Sequence, residues 1–249
     1  MVAVTGDGAN DAPAIRLADI GIALGQRATP AAREAADLVV TDDRIETIVD
    51  AIVEGRAMWA SVRDSLAILL GGNLGEIGFT VVTGLINGGG SLNARQLLLV
   101  NLLTDILPAM AIAVRPPPTI TADMLLAEGP EASLGAALTH DIYRRAAVTA
   151  GAAICAWILG RATGTLRQAN TVALVALVAA QLGQTLVVRG RTPLVVGCAF
   201  VSFVALAAVV QTPGLSQFFG SSPLLPHGWM IAAGATTAAT ALSLLLQQW

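Results

Sequence analysis

Six stretches of about twenty mostly apolar residues limit this chain more than any other feature. They fall at roughly 65–87, 96–114, 146–162, 170–188, 193–210 and 228–247 of the 249 residues. Hydrocarbon offers no water to a peptide group, so a segment that crosses it must satisfy its own N–H and C=O groups. The pattern predicts six membrane helices, the third of them the shortest, and a lipid bilayer as the surrounding partner. Apolar residues make up 55% of the chain and charged residues 12%, which excludes an ordinary soluble domain. A net charge of −3 with no basic run gives nucleic acid nothing to bind.

The minor residue types read as structural. Cys155 and Cys198 lie in apolar runs without metal-ligand spacing and are expected inside the bundle. His140 and His227 are expected in separate loops, which argues against a histidine metal site. Trp59, Trp157, Trp229 and Trp249 are expected to anchor span ends or pack. All fourteen basic residues are Arg. If residues 1–64 are cytoplasmic, an even number of spans returns Arg115, Arg144, Arg145, Arg189 and Arg191 to that side, against Arg95, Arg161 and Arg167 opposite. The expectation is a multi-pass protein of a bacterial plasma membrane with both termini cytoplasmic.

Polar content is concentrated in residues 1–64. There "MVAV", "IGIAL" and "DLVV" read as strands, with "GDGANDAPAIRLA" as a loop entering a helix and "TPAAREAA" as a second helix. Alternating strands and helices predict a parallel α/β arrangement. From Asp42, the spacing of Ile45, Ile48, Val49, Ile52 and Val53 predicts a helix that continues into the first span. The fold class is therefore mixed: a partial α/β unit over 1–41, a stalk helix over 42–64 and a bundle of about six membrane helices over 65–249.

Two constellations carry chemistry. In "TGDGAND", Asp7, Asn10 and Asp11 place three oxygen-bearing side chains at the carboxyl end of a strand, where open α/β sheets bind ligands. Hard oxygens suit Mg²⁺, which takes one or two carboxylates and keeps waters. The same residues could instead satisfy backbone amides of a capped turn, and spacing alone does not separate these readings. Within the spans, Asn73 and Glu76 share one helix face, and Asn101, Thr104 and Asp105 share another, with Pro108 following. Glu76 and Asp105 are the only carboxylates inside the expected spans, and a buried membrane carboxylate marks a transport pathway by default. Two facing oxygen-rich helices make a hard-cation site, set against plain helix–helix hydrogen bonding.

"TGDGANDAPAI", followed by "ADIGIALG" and "AREAADLVVTDD", resembles the hinge motif of P-type cation-transporting ATPases and the sequence after it. The resemblance implies a haloacid-dehalogenase-like phosphorylation domain. Asp7 would hold catalytic Mg²⁺, Asn10 and Asp11 would sit near the phosphorylated aspartate, and Thr5 and Gly6 would lie around the phosphoryl group. Arg16 stands where the family often has Lys. "NLGE" and "NLLTD" resemble the ion-binding motifs of calcium-pump-like members, which implies that Asn73, Glu76, Asn101, Thr104 and Asp105 bind the transported cation, with Ca²⁺ leading. "AAQLGQTL" is similar to the eighth helix, so Gln181 is a further ligand candidate where calcium pumps carry Glu; the missing carboxylate leaves room for a single divalent ion.

The resemblance covers only the family's C-terminal third. A chain without Lys contains no DKTGT motif, so ATP would be used only in a complete pump. The expectation is the C-terminal part of an ATP-driven cation translocase that begins inside the phosphorylation domain. The alternative is a non-enzymatic remnant, or a subunit paired with a separately encoded N-terminal half.

Overall fold

The computed structural model describes residues 2–42, 44–113, 136–187 and 192–246. The chain divides into two compact units, with the boundary between Ala57 and Met58. Arg115, Arg189, Arg191, Trp249 and the ends of the spans expected to reach 114, 188 and 247 lie outside the described residues.

In the first unit, β1 (Ala3–Gly6), β2 (Ile20–Leu24) and β3 (Leu38–Val40) form a parallel sheet in that order, with Ala3 opposite Ile20 and Ile22 opposite Leu38. β1 lies two residues later than expected, which takes Thr5 and Gly6 out of the loop and into the strand. Two helices, α1 (Ala12–Leu17) and α2 (Pro30–Ala35), pack on each other and on β2, so both cover one face. The core there is Ile15, Ile22, Ala23, Ala32 and Val40.

Local chemistry sets these elements. Thr29 caps α2 by accepting from the Ala32 amide at 3.4 Å, and Pro30 fills the first helical turn, where a missing N–H costs nothing. Carboxylates tie down the strand starts: Asp19 accepts from the Val2 amide at 2.7 Å and Asp37 from the Gly21 amide at 2.8 Å. A Cβ at Gly21 would stand 2.5 Å from the Ile15 carbonyl oxygen, so only glycine lets α1 lie this close to β2.

Helix α3 (Glu46–Asn87) is a single element of 42 residues that carries residues of both units. The Thr47 hydroxyl donates to Asp42 at 2.8 Å just before its first turn. Of the expected apolar stripe, Ile45 (68%), Val49 (50%) and Ile52 (52%) are half or more exposed. The helix stops at Gly88, whose φ of +70° favours glycine and whose amide donates to the Gly84 carbonyl at 2.9 Å.

The second unit continues with α4 (Ala94–Asn101), a π-helical segment (Leu102–Ala109) and α5 (Met110–Ala113), which form one helical path. It then runs through α6 (Ala136–Thr163), α7 (Leu166–Val187), α8 (Pro193–Gln211), the short α9 (Leu215–Phe218) and α10 (Pro226–Leu246). Six of these stretches are long and apolar enough to cross a membrane, at the six expected places. The third runs over Leu138–Thr163, longer than expected, because a helix that continues past the hydrocarbon keeps its polar first turns. His140 and His227 accordingly lie in helices α6 and α10 rather than in loops.

Helix α7 forms the centre: Val172 through Val178 are all essentially buried. By contrast α8 turns Leu194, Phe200 and Val201 outward, and α10 does the same with Met230 and Leu245, as lipid-facing surfaces require. Cys155, expected inside, is exposed on α6, and Cys198 is partly buried. Trp157 is buried and donates to Asn170 at 2.9 Å, while Trp229 meets Phe203 edge-on.

Polar contacts gather at the two ends of the bundle. Arg144 donates to the Leu246 carbonyl at the last turn of α10 and pairs with Asp141 at 2.8 Å. At the opposite end Arg95 donates to the Phe218 carbonyl at 2.7 Å, Asn93 to that of Phe219 at 2.8 Å and Gln96 to the Ser221 hydroxyl at 3.1 Å. Arg161 and Arg167 flank the short turn between α6 and α7 at that same end.

Small residues bring α3 against α6. A Cβ at Gly71 would lie 2.8 Å from the Arg145 Cβ, and one at Gly75 would lie 2.8 Å from the Thr149 Cβ. This is close backbone approach of the kind glycine permits between membrane helices. Gly75→Val is expected to destabilise the bundle by about 1–3 kcal/mol, the usual range for overpacking. Thermal unfolding of the chain in lipid nanodiscs measures it; an unchanged melting temperature refutes the tight seam.

Candidate functional site

The loop after β1 lies wholly in the first unit. Asp11 turns its carboxylate back over the loop, where Oδ2 accepts from the Gly8 amide at 3.0 Å and the Asp7 amide at 3.2 Å. Glycine is needed here for space rather than for unusual dihedrals, since neither Gly6 nor Gly8 has positive φ. A Cβ on Gly6 would come within 2.5 Å of the Asp11 Cβ, and one on Gly8 within 3.2 Å of Oδ2. The Asp7 carbonyl accepts from the Thr29 amide at 2.8 Å, which fixes the loop to the start of α2. Asp7, Asn10 and Thr5 are exposed at the sheet's carboxyl edge, and Asp11 and Gly6 are half-buried.

The donor set therefore divides. Asp11 spends one oxygen on its own backbone, as the capped-turn reading requires. Asp7 presents an exposed carboxylate just beyond a strand end. One free carboxylate with room for water fits a hydrated Mg²⁺.

The membrane constellation lies wholly in the second unit. Glu76 on α3 is 5% exposed and accepts a hydrogen bond from Gln181 Nε2 of α7 at 3.0 Å, and Gln181 is equally buried. Asp105 lies in the π segment with Asn73 within hydrogen-bonding reach, and it is near enough to Glu76 for their charges to interact. The Thr104 hydroxyl has two acceptors for its one proton, the Val100 carbonyl at 3.0 Å and Asp105 Oδ1 at 3.1 Å. Asn101 Oδ1 is buried with no hydrogen-bond partner. An amide oxygen left so is unfavourable by about 1–3 kcal/mol.

The π segment departs from the sequence expectation that Asn101, Thr104 and Asp105 share one face of a regular α-helix. Pro108 supplies the reason. It has no N–H for the carbonyl four residues back, and its ring crowds that carbonyl. An i→i+5 pattern skips the missing donor. The wider turn leaves Thr104 2% exposed and Asn101 and Asp105 half-buried.

All five expected membrane residues and Gln181 thus fall in one bundle, with explicit contacts linking Glu76 to Gln181, Thr104 to Asp105 and Asn73 to Asp105. The bundle holds two carboxylates, two side-chain amides and a hydroxyl, residue types that suit a hard cation; Asn101 Oδ1 makes no hydrogen bond to the other four. Gln184, three residues after Gln181, is also buried and donates to the Thr149 hydroxyl at 3.0 Å. Sequence reading overlooked the glycines: Gly72 lies under the Gln181 amide, and the spacing of Gly71 and Gly75 in "LLGGNLGE" was the available signal.

Six helices long and apolar enough to cross a membrane, joined in sequence to a small parallel α/β unit, are the arrangement of a multi-pass membrane protein. The sequence profile of the family described as "Cation transporting ATPase, C-terminus" matches residues 91–249, more than half of the chain. The chain belongs to this family and corresponds to the C-terminal part of a P-type cation-transporting ATPase. It is 47% identical to a protein of Mycobacterium leprae named "Probable cation-transporting ATPase I", over all of this chain and 17% of that protein. It is 34% identical to a "Calcium-transporting ATPase" of Bacillus subtilis, over 97% of this chain and 28% of that protein. A "Calcium-transporting ATPase" of Plasmodium falciparum is 48% identical over 47% of this chain and 9% of its own length. The chain therefore spans less than a third of each of these relatives.

If Asp11 shapes the loop, Asp11→Ala should raise hydrogen exchange at the Asp7 and Gly8 amides by about tenfold, the effect of losing roughly 1.5 kcal/mol of hydrogen bonding to a charged group. Mass-resolved exchange of the chain in nanodiscs measures this; unchanged protection returns Asp11 to the ligand set.

Proposed function

We propose that residues 65–249 carry the ion-binding half of an ATP-driven cation pump, and that Asn73, Glu76, Asn101, Thr104 and Asp105 bind the transported ion. The observation that carries this reading is that Glu76 and Asp105, near enough for their charges to interact, lie in one bundle of membrane-length helices that also holds a buried amide oxygen without a partner, Asn101 Oδ1. Charge inside hydrocarbon is kept where a function uses it. Two carboxylates match the charge of one divalent ion. Ca²⁺ is the leading candidate, supported by oxygen ligands throughout and by the name of the Bacillus subtilis relative.

The loop after β1 is proposed to serve the pump's phosphorylation domain, of haloacid-dehalogenase-like fold. Asp7 would hold Mg²⁺, with Thr5, Gly6 and Asn10 near the phosphoryl group and Asp11 holding the loop in shape. Mg²⁺ there would offset phosphate charge. Asp7 orients it, and the backbone tie from Thr29 keeps the loop from moving away. The phosphorylated aspartate and the ATP site would be supplied by other parts of the pump, in the same polypeptide or in a separately encoded N-terminal half. Helix α3 is the proposed route by which the loop's chemistry reaches the ion. The arginine distribution supports both termini on the cytoplasmic side of a bacterial plasma membrane.

Equilibrium binding of radioactive Ca²⁺ to the chain in nanodiscs tests the site. One Ca²⁺ per chain is expected. Glu76→Gln and Asp105→Asn should each weaken binding at least about thirtyfold, because removing one member of a buried charged set costs about 2–5 kcal/mol. Unchanged affinity in both variants would falsify the assignment. In the complete pump, Asp7→Asn should block phosphoenzyme formation and leave membrane insertion intact; phosphorylation at the normal level would exclude the Mg²⁺ role.

A further inference from the structure

We infer that Gln181 is a positioning residue for Glu76 and not itself a ligand of the transported cation. This rests on the proposed cation site and assigns a separate role within it. Gln181 Nε2 lies 3.0 Å from Glu76 Oε1, and both side chains are 5% exposed. An ionised carboxylate has only acceptors to offer, so a buried amide beside it must present its nitrogen. That choice decides where the amide oxygen goes. A Cβ at Gly72 would stand 3.0 Å from Gln181 Oε1 and 3.2 Å from its Cδ. The amide thus lies on α3 in the space that the missing side chain leaves, and its oxygen is turned to Gly72.

Acting as a ligand would require Gln181 to bring Oε1 to the ion. Turning the amide over would set that oxygen against the Glu76 carboxylate and break the 3.0 Å hydrogen bond. In this geometry the two roles exclude each other.

The backbone that delivers the amide is itself held. Thr185 donates to the Gln181 carbonyl at 2.9 Å. One turn along α7, Gln184 Nε2 donates to the Thr149 hydroxyl at 3.0 Å and approaches the Arg145 carbonyl at 3.5 Å. Gln181 and Gln184 thus fasten α7 to α3 and α6 in turn. Gln181 occupies one acceptor position of Glu76 and leaves the carboxylate's charge whole, because an amide carries none. The remaining oxygen and lone pairs of Glu76 stay available to the ion in a fixed orientation.

A double-mutant cycle read by Ca²⁺ binding to the full chain in nanodiscs tests this. Gln181→Met keeps the volume and removes both donor and oxygen. It should weaken Ca²⁺ binding about tenfold, the loss expected for a hydrogen bond to a charged group. Glu76→Asp keeps the charge and withdraws the carboxylate from the amide. In that background Gln181→Met should cost less than about a further twofold, since the contact is already gone. A direct ligand would lose the same tenfold in both backgrounds, and that outcome overturns the inference, as does Gln181→Met binding Ca²⁺ normally. Should Gln181→Met fail to fold, Gln181→Asn, which keeps the amide on a shorter arm, is read in the same cycle. Failure of the site reading looks different: there Glu76→Gln leaves Ca²⁺ binding unchanged, or the unaltered chain binds none.

Discussion

A carboxylate in hydrocarbon needs something to meet its charge, and in this bundle that need organises the surrounding structure. Insertion of an aspartate at the middle of a membrane helix is unfavourable by about 3 kcal/mol even on the mildest scales. Glu76 is almost wholly buried on α3, and the partner that meets it is an amide from α7, the most enclosed helix of the bundle. The contact needs α3 and its neighbours close together. Gly72 gives the amide room to lie on the helix, and Gly71 and Gly75 let α6 approach on the adjoining face. Packing and polarity are therefore linked. A larger residue in this seam would move α3 away from the amide whose hydrogen bond Glu76 accepts.

The second carboxylate is placed by a different device. Asp105 sits in a π segment whose widened turns follow from Pro108, so a residue that removes one donor resets the rotation of those before it. Its outer end is held: the first turn of α4 is bound to the loop before α10 by Asn93, Arg95 and Gln96, and Arg95 also covers the Phe218 ring at 4.5 Å. The helix is thus tied at one end and wound irregularly where Thr104 and Asp105 lie.

Much of this was legible from residues alone. Apolar length located all six membrane stretches, because a helix that crosses hydrocarbon needs about twenty apolar residues to span it. The alternation of strand and helix over the first forty residues gave three parallel strands for a similar reason. Polar residues inside apolar runs stand out by simple contrast, which is why Asn73, Glu76, Asn101, Thr104 and Asp105 are conspicuous in the sequence. What was not legible depended on pairs distant in sequence. Gln181 is separated from Glu76 by 105 residues, and nothing local distinguishes a glutamine that donates from one that ligates. The π segment escaped because Pro108 in a regular helix and Pro108 in a widened one look alike as letters. The third span was drawn too short for the opposite reason: its helix outlasts its apolar run, since backbone hydrogen bonding continues in water after burial has ended.

Asp11 and Asn101 show how two similar polar residues come to different ends. Both sit in segments whose spacing allowed either a structural or a ligand role. Asp11 Oδ2 is met by two amides of its own loop, so its carboxylate is largely used in making the turn. Asn101 Oδ1 is buried and unmet, on a segment already distorted by proline. A protein under selection for stability alone would lose such an oxygen, because replacing it with a methyl group of similar size removes the desolvation penalty at little expense. In the proposed cation site, a bound ion would supply the partner that this oxygen lacks. Asn101 Oδ1 thus carries a penalty that the bundle's own hydrogen bonds do not offset, and the cation role proposed for Asn101 would account for it.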